Sequence, residues 1–153
     1  AWAKPDAKNK FQKKYPIAQN AVQLQQGTVM DLYPTILSVA HVKPPKHYAL
    51  DGADLKKLFQ GKEDKKHRDD FLMHFPHGEH RANYFTTYRK GDWKLIYYYH
   101  PETTGIPTWK LYNLKDDPYE KTEVSAEYPE KTASMIEQMK DRLKEENALY
   151  PEE

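Results

Sequence analysis

The sequence contains no cysteine, and this absence excludes several kinds of chemistry at once. Without thiols the chain has no disulfide framework, no thiolate metal site and no cysteine nucleophile. No apolar run approaches the roughly 20 residues that a membrane-spanning helix needs. Neither charge dominates, because 24 basic residues stand against 23 acidic ones and the formal net charge is +1. Composition therefore predicts neither nucleic acid nor a membrane as a partner.

Aliphatic residues are few, and aromatic residues supply much of the apolar surface in their place. The 153 residues include 12 Tyr, 5 Phe and 3 Trp. Large aromatic side chains bury much area, so they can stabilise a core that is poor in aliphatic residues. A chain of this length is enough for one domain, or for a small domain with part of another. We therefore expect a folded chain with a modest, aromatic-rich core.

The second half of the chain predicts a sheet followed by a helix. Four segments have strand patterns, namely residues 71–75, 84–89, 93–99 and 108–114. Within 93–99, one wholly apolar or aromatic face alternates with a mixed one, and Gly91 just before it suits a tight turn. Residues 129–148 predict a helix with one apolar face, formed by Ala133, Ile136, Met139 and Leu143. The prediction is an α+β fold: a four-stranded antiparallel sheet packed by a long C-terminal helix.

The first half of the chain predicts mostly helical and irregular structure. Residues 31–40 predict a helix, because Asp31 can cap it and a proline is tolerated in its first turn. One face of that helix is apolar and carries Leu32, Ile36 and Val39. Residues 54–60 predict a shorter helix that Gly61 ends. Residues 62–70 are highly charged and lack apolar periodicity, so we interpret them as a linker between structural units.

Three motifs occur in a fixed order along the chain. They are D-L-Y-P-T-I-L at 31–37, D-G-A-D-L at 51–55 with Gly61 closing that segment, and R-K-G-D-W-K-L-I at 89–96 followed by L-Y-N-L-K-D-D-P-x-E-K-T at 111–122. In this order the motifs resemble the C-terminal part of sulfatases of the alkaline-phosphatase superfamily. The resemblance covers nearly the whole chain.

The resemblance implies a domain division and a function. Residues 1–61 would be the end of the large α/β catalytic domain, a mostly helical and irregular remnant, and residues 71–153 the smaller C-terminal subdomain. In relatives that subdomain closes one side of the active-site cleft. The implied function is hydrolysis of sulfate esters, of a sulfated carbohydrate, with this chain forming one wall of the cleft. The implied partners are its own catalytic domain and that substrate, and the implied location is outside the cytoplasm, because such sulfatases are exported.

The residues that would perform the chemistry are absent from the sequence. The family's nucleophile is a formylglycine made from the first residue of Cys/Ser-x-Pro-x-Arg, and no such motif occurs here. None of Ser38, Ser125 and Ser134 lies in a G-x-S-x-G elbow, and no glycine-rich phosphate loop is present. Calcium and formylglycine are therefore expected only in the complete enzyme, where the resemblance implies them. We expect this chain alone to be inactive.

The segment H-F-P-H-G-E-H-R at 74–81 is the most chemically suggestive cluster. Between two predicted strands, its candidate substrate-binding residues are His74, His77, His80 and Arg81. Arg81 would serve as a fork-shaped donor to an anionic sugar. Two alternatives stay open: a metal site of the three histidines with Glu79 as ligand or support, and histidines that only pack or face solvent.

An alternative function is a stand-alone carbohydrate-binding module that uses the 74–81 loop. Tyr97, Tyr98 and Tyr99, with Trp93 and Trp109, could add a sugar-stacking platform, although packing in the sheet explains them more economically. Asp116, Asp117 and Glu120 invite a calcium site, but their spacing is not that of an EF-hand loop. Turn and capping roles are the preferred interpretation for those carboxylates.

Overall fold

The computed structural model describes residue 6 and residues 8–76 and 84–150. The chain divides into two compact units, Ala1–Arg68 and Asp69–Glu153. We refer to them as the first unit and the second unit. Within the described residues, no helix has both the length and the apolar character required to cross a bilayer.

The first unit consists of short helices and irregular segments. Helix α1 is Lys10–Lys14, a 3-10 helix at Val29–Asp31 runs directly into α2 at Leu32–Ala40, and α3 is Lys56–Phe59. The two predicted helices are therefore present, and Gly61 follows α3 with a φ of 71°, as a helix-ending glycine should. The short helix α1 escaped prediction, although Asn9 caps it by accepting a hydrogen bond from the Phe11 backbone N–H.

Asp31 has a different local role from the predicted cap of α2. Its side chain makes no capping bond to α2. It instead accepts hydrogen bonds from the backbone N–H of Thr28 at 2.7 Å and from that of Ala53 at 2.8 Å. The carboxylate thus closes the 3-10 turn and joins it to the segment before α3.

Residues 62–68 are bonded into the first unit. Asp64 forms an ion pair with Lys57 at 2.8 Å, and its backbone N–H donates to the Gln25 side chain at 2.9 Å. His67 is buried, with its Nε2 2.7 Å from the Gln26 carbonyl. The assignment of 62–70 as a linker, and of the flanking ranges as two sulfatase domains, stays a prediction.

The second unit is a four-stranded antiparallel sheet with the order β1-β2-β3-β4. Its strands are Asp70–Phe75, Phe85–Lys90, Trp93–Tyr98 and Trp109–Asn113, and the short helix α4, Pro101–Thr104, connects the last two. Helix α5, Pro129–Glu145, follows the sheet. The predicted α+β fold is confirmed, and Gly91 lies in the β2–β3 turn with a φ of 57°.

One row of side chains across the sheet forms the core with α5. Leu72, Tyr88, Leu95 and Leu111 are aligned by strand register, and the last three of them are almost fully buried. They pack against Met135, Met139 and Leu143 of α5. The predicted helix face needs one correction, because Ala133 is exposed and Met135 takes its place in the core. The helix meets the sheet slightly rotated from the face that the apolar spacing suggested.

Candidate functional site

His74 lies on the face of the sheet that α5 covers. Strand register aligns it with Thr86 of β2 and Tyr97 of β3, one row beyond the core row. The other three candidate substrate residues, His77, His80 and Arg81, lie outside the described residues. Of the candidate set, the structure therefore places His74 alone.

A chain of hydrogen bonds passes through the His74 ring. Nε2 is 2.6 Å from the backbone carbonyl of Leu149, so it must be the protonated nitrogen that donates. Nδ1 lies 2.7 Å from the Thr86 hydroxyl oxygen, which in turn lies 2.7 Å from the Tyr99 hydroxyl oxygen. The Leu149 carbonyl thus requires a proton on Nε2, and the Thr86 hydroxyl bridges Nδ1 and the Tyr99 hydroxyl.

Both ring nitrogens of His74 are hydrogen-bonded to protein groups. A metal ion or a substrate oxygen could bind His74 directly only by displacing Thr86 or Leu149. In the described ranges, no group of three or more His, Cys, Asp or Glu residues is arranged to hold a metal ion. His74 in this conformation positions Tyr99 and the chain after α5.

An open cavity of about 750 Å³ adjoins this hydrogen-bond chain. Tyr97 and Tyr99 of β3 line it from the sheet, and Tyr150 lines it from the segment after α5. The Tyr99 ring centroid is 5.0 Å from that of Tyr97 and 6.0 Å from that of Tyr150, both in edge-to-face arrangements. Burial raises the pKa of Tyr99, although its bond to Thr86 acts in the opposite direction, so the phenol is uncharged at neutral pH.

The opposite wall of the cavity is the last part of α5 and the residues that follow it. Lys140, Asp141 and Lys144 contribute charged groups, and Asn147 contributes an amide. Lys140 pairs with Glu137 at 3.1 Å, but both side chains are largely exposed, so the pair is weak. The cavity thus combines an aromatic wall with a helix wall on which Met139, Leu143 and Ala148 lie among polar groups of net positive charge.

The five aromatic residues suggested as a stacking platform do not all share one face of the sheet. Strand alternation places Tyr98 on the sheet face opposite Tyr97 and Tyr99, and its ring contacts Lys110. Trp93 packs edge-to-face with Tyr128, at 5.0 Å between ring centroids. The aromatic residues therefore serve several separate contacts.

The acidic turn after β4 binds protein groups. Asp117 accepts hydrogen bonds from the backbone N–H of Lys121 and of Thr122, at 2.6 and 2.8 Å. Glu120 pairs with Lys94 at 2.6 Å. These contacts agree with the turn and capping interpretation of the carboxylates.

A buried polar cluster, formed by Asp31 and His67, lies in the first unit and was not predicted from the sequence. Asp31 is fully buried, and His67 Nε2 lies 3.8 Å from its Oδ2. Burial alone would raise the pKa of Asp31, but hydrogen bonds from Ala53 and Thr28, together with His67, lower it below its ordinary value. His67 gave no signal in the sequence, because it stands within a charged run that is typical of solvent-exposed loops.

Comparison with known proteins shows the family to which the chain belongs. The family model described as "N-sulphoglucosamine sulphohydrolase, C-terminal" matches residues 6–148. An uncharacterized sulfatase of Schizosaccharomyces pombe is 33% identical over 138 residues, which are 81% of this chain and 23% of that protein. A sulfatase of Formosa agariphila is 32% identical over 146 residues, or 86% of this chain and 25% of that one.

A solved structure supports the same assignment. It is of a protein in complex with its substrate, D-glucosamine-2-N,6-O-disulfate, and it has 29% sequence identity and a TM-score of 0.59. The match covers 74% of this chain and 23% of that one. The chain therefore spans about a quarter of the length of the proteins it resembles. Because the family model matches nearly all of it, this chain belongs to the sulfatase C-terminal family.

Proposed function

We propose that this chain is the C-terminal part of a sulfatase that hydrolyses sulfate esters of a carbohydrate, and that it forms one wall of the substrate cleft. The observation that carries the proposal is the family match, which runs from residue 6 to residue 148 across both units. The chain does not supply the nucleophile, because its sequence lacks the formylglycine motif.

The exposed apolar face of α2 supports a partner that the chain itself does not contain. Leu32 is 47% exposed and Ile36 is 59% exposed, on the face that the sequence predicted to be apolar. Val29, just before the helix, is 79% exposed. Contiguous apolar surface of this kind is typical of a contact site. In our proposal it packs against the catalytic domain of the same sulfatase.

One relative and the side-chain chemistry of residues 77–81 support the proposed substrate class. The solved relative binds a sulfated amino sugar as its substrate. In this chain the sequence offers His77, His80 and Arg81 as donors to a sulfate or hydroxyl group. We propose that these three residues contact the sugar, and that His74 fixes the position of strand β1, which precedes them in the sequence.

Calcium and formylglycine belong, in this proposal, to the catalytic domain. Hard cations such as calcium take six to eight oxygen ligands, and the described residues contain no suitable group. No step is therefore assigned to a metal held by this chain. Its own contribution is to shape the cleft and to select the sugar.

Sequencing the coding region upstream of this segment, followed by co-expression, tests the proposal. We expect an upstream Cys/Ser-x-Pro-x-Arg motif, and we expect the encoded upstream portion to co-purify with this chain. The double variant Leu32→Asp, Ile36→Asp should weaken that association at least tenfold, because two charges would enter an apolar contact.

Leu149→Asp is the matched control, because Leu149 is an exposed leucine of the second unit. It should leave association unchanged. The proposal fails if no nucleophile motif is encoded upstream. If the chain instead binds sulfated glycans alone through Arg81, with no catalytic partner, the carbohydrate-binding module is the correct function.

A further inference from the structure

A cavity lies between β3 and the end of α5, beside the His74 hydrogen-bond chain. His74, the one candidate substrate residue among those described, does not line it. The cavity volume of about 750 Å³ falls within the range of small-molecule sites, roughly 300–1,000 Å³. A preformed cavity of this size, with aromatic and charged walls, is suited to binding a small ligand.

The aromatic wall is held in place by the hydrogen-bond chain through His74. Thr86, which is fully buried, binds both the Tyr99 hydroxyl and His74 Nδ1. The His74 ring also contacts Tyr150 edge-to-face, at 6.0 Å between centroids. Contacts with Thr86 and His74 thus fix the orientation of Tyr99 and Tyr150. A rigid aromatic surface binds a ligand with little loss of conformational entropy.

The polar wall presents separate groups for an anion and for hydroxyls. Lys140 and Lys144 are one helical turn apart, so both ammonium groups lie on the same side of α5. Lys144 makes no ion pair with any residue in 8–76 or 84–150. Asp141 and Asn147 add a carboxylate and an amide, which are suitable partners for sugar hydroxyls.

We propose that this cavity is an accessory binding site for a sulfated saccharide unit. The tyrosines would cover the C–H face of the ring, the two lysines would bind the sulfate, and Asp141 and Asn147 would bind hydroxyls. An uncharged apolar ligand would leave both lysines unused, and a simple inorganic anion would leave the tyrosines unused. A sulfated sugar uses both walls.

The accessory site would hold a part of the glycan that is not being hydrolysed. The inference does not depend on the proposed catalytic function, because binding at this cavity needs only the second unit's own residues. It can therefore be tested on the purified chain. It also remains testable if the upstream region encodes no sulfatase nucleophile.

Calorimetric titration of the full 153-residue chain with a heparin-derived tetrasaccharide is the experiment. We expect saturable binding of one tetrasaccharide, which increased salt weakens because sulfate contacts are screened. Lys144→Ala should lower the affinity about threefold to fivefold, as expected for an exposed charge contact. The double variant Lys140→Ala, Lys144→Ala should lower it about tenfold. Tyr150→Ala should lower it about tenfold through the lost stacking surface.

Lys115→Ala is the control, because it removes an exposed lysine of the same unit that does not line the cavity. It should leave the affinity unchanged, and inorganic sulfate should not compete at equal sulfate concentration. The proposal is overturned if no tetrasaccharide binds, or if Lys115→Ala and Lys144→Ala weaken binding equally. It is also overturned if Tyr150→Ala has no effect, because binding would then be only electrostatic.

Discussion

Both units of this chain bury apolar side chains, but among the described residues only the first unit also buries a carboxylate and an imidazole. The second unit buries a continuous apolar cluster, in which Tyr88, Leu95 and Leu111 of the sheet pack against α5. The first unit buries Asp31 and His67 as well as Tyr15, Leu55 and Leu58, and it leaves Leu32 and Ile36 largely exposed. A sheet and a helix cover each other's apolar faces, whereas the short helices of the first unit do not cover all of theirs.

In our proposal, the first unit is the one that packs against a partner. A unit that uses buried polar groups for its shape and still exposes apolar side chains has unused binding surface. A unit whose apolar face is already covered can present loops and cavities to small ligands. The following predictions test that contrast, and amide hydrogen exchange can be measured separately in each unit.

Leu95→Ala should have the largest effect, and it should be confined to the second unit. Leu95 is fully buried in the centre of the core cluster. The variant should lose about 3 kcal/mol of unfolding free energy, because a cavity is left among residues that cannot fully collapse. Hydrogen exchange should accelerate in the sheet and α5. Leu149→Ala, at a leucine that is 81% exposed, should change it little.

Gly52→Ala should destabilise the first unit by about 2–3 kcal/mol, through overpacking. A Cβ at position 52 would lie 2.0 Å from the backbone oxygen of Met30, which cannot move without shifting the 3-10 turn. Gly91→Ala is the comparison in the second unit, because its Cβ would meet no atom within 4 Å. Its cost arises only from the positive φ, about 1 kcal/mol. Equal destabilisation by both variants would contradict the close approach at Gly52.

Asp31→Asn should destabilise the first unit by about 2 kcal/mol, because an amide donor would replace an oxygen that accepts hydrogen bonds. Thr28 and Ala53 would lose charge-assisted bonds. Asp51→Asn is the control at an exposed carboxylate. Thermal unfolding and hydrogen exchange in residues 8–68 measure the difference. An unchanged first unit would show that the buried carboxylate is not what maintains it.

Acidification should also act through Asp31. Its pKa in the folded chain is below the ordinary value, roughly 3.9 in unfolded chains. The carboxylate therefore stabilises the first unit fully above about pH 4, and this contribution is lost as the pH falls through the folded pKa. Acid titration followed by hydrogen exchange should show this loss in the natural chain. Asp31→Asn should remove it, and persistence in the variant would assign the effect to another carboxylate.

Thr86→Val should have the smallest effect on stability, about 1 kcal/mol, through the lost bonds to His74 and Tyr99. The effect of this variant on tetrasaccharide binding should be larger than its effect on stability, because the hydrogen bond that orients the Tyr99 ring is lost. Thr86→Ser keeps the hydroxyl and should retain tetrasaccharide binding. If both variants bind equally, the hydrogen-bond chain does not orient the cavity.

The sheet was predictable from sequence because its signals are local. Alternation from Trp93 to Tyr99 and the glycine at 91 specify a strand and the turn before it, and both are present. The face of α5 was less predictable, since Ala133 and Met135 are separated by about half a turn and only packing decides between them. Sequence periodicity predicts a helix, but packing against the sheet determines which side of the helix is buried.

The candidate site was only partly predictable because its contacts are distant in the sequence. His74 was selected for its chemistry, but its partners Thr86 and Leu149 lie 12 and 75 positions away. Alternation assigns a residue to a face of its own strand, and register alone brings His74 opposite Thr86. The Asp31–His67 cluster was missed for the same reason, since 36 positions separate Asp31, which the local pattern indicates as a helix cap, from His67, which stands in a charged run.

Sulfate release is the most direct test of the claim that this chain provides structure and not the reaction. The purified 153-residue chain and the complete encoded protein are incubated with an aryl sulfate and calcium, and free sulfate is measured. We predict release by the complete protein and none above buffer by the chain alone. Release by the chain alone, abolished by His77→Ala or His80→Ala, would contradict the account.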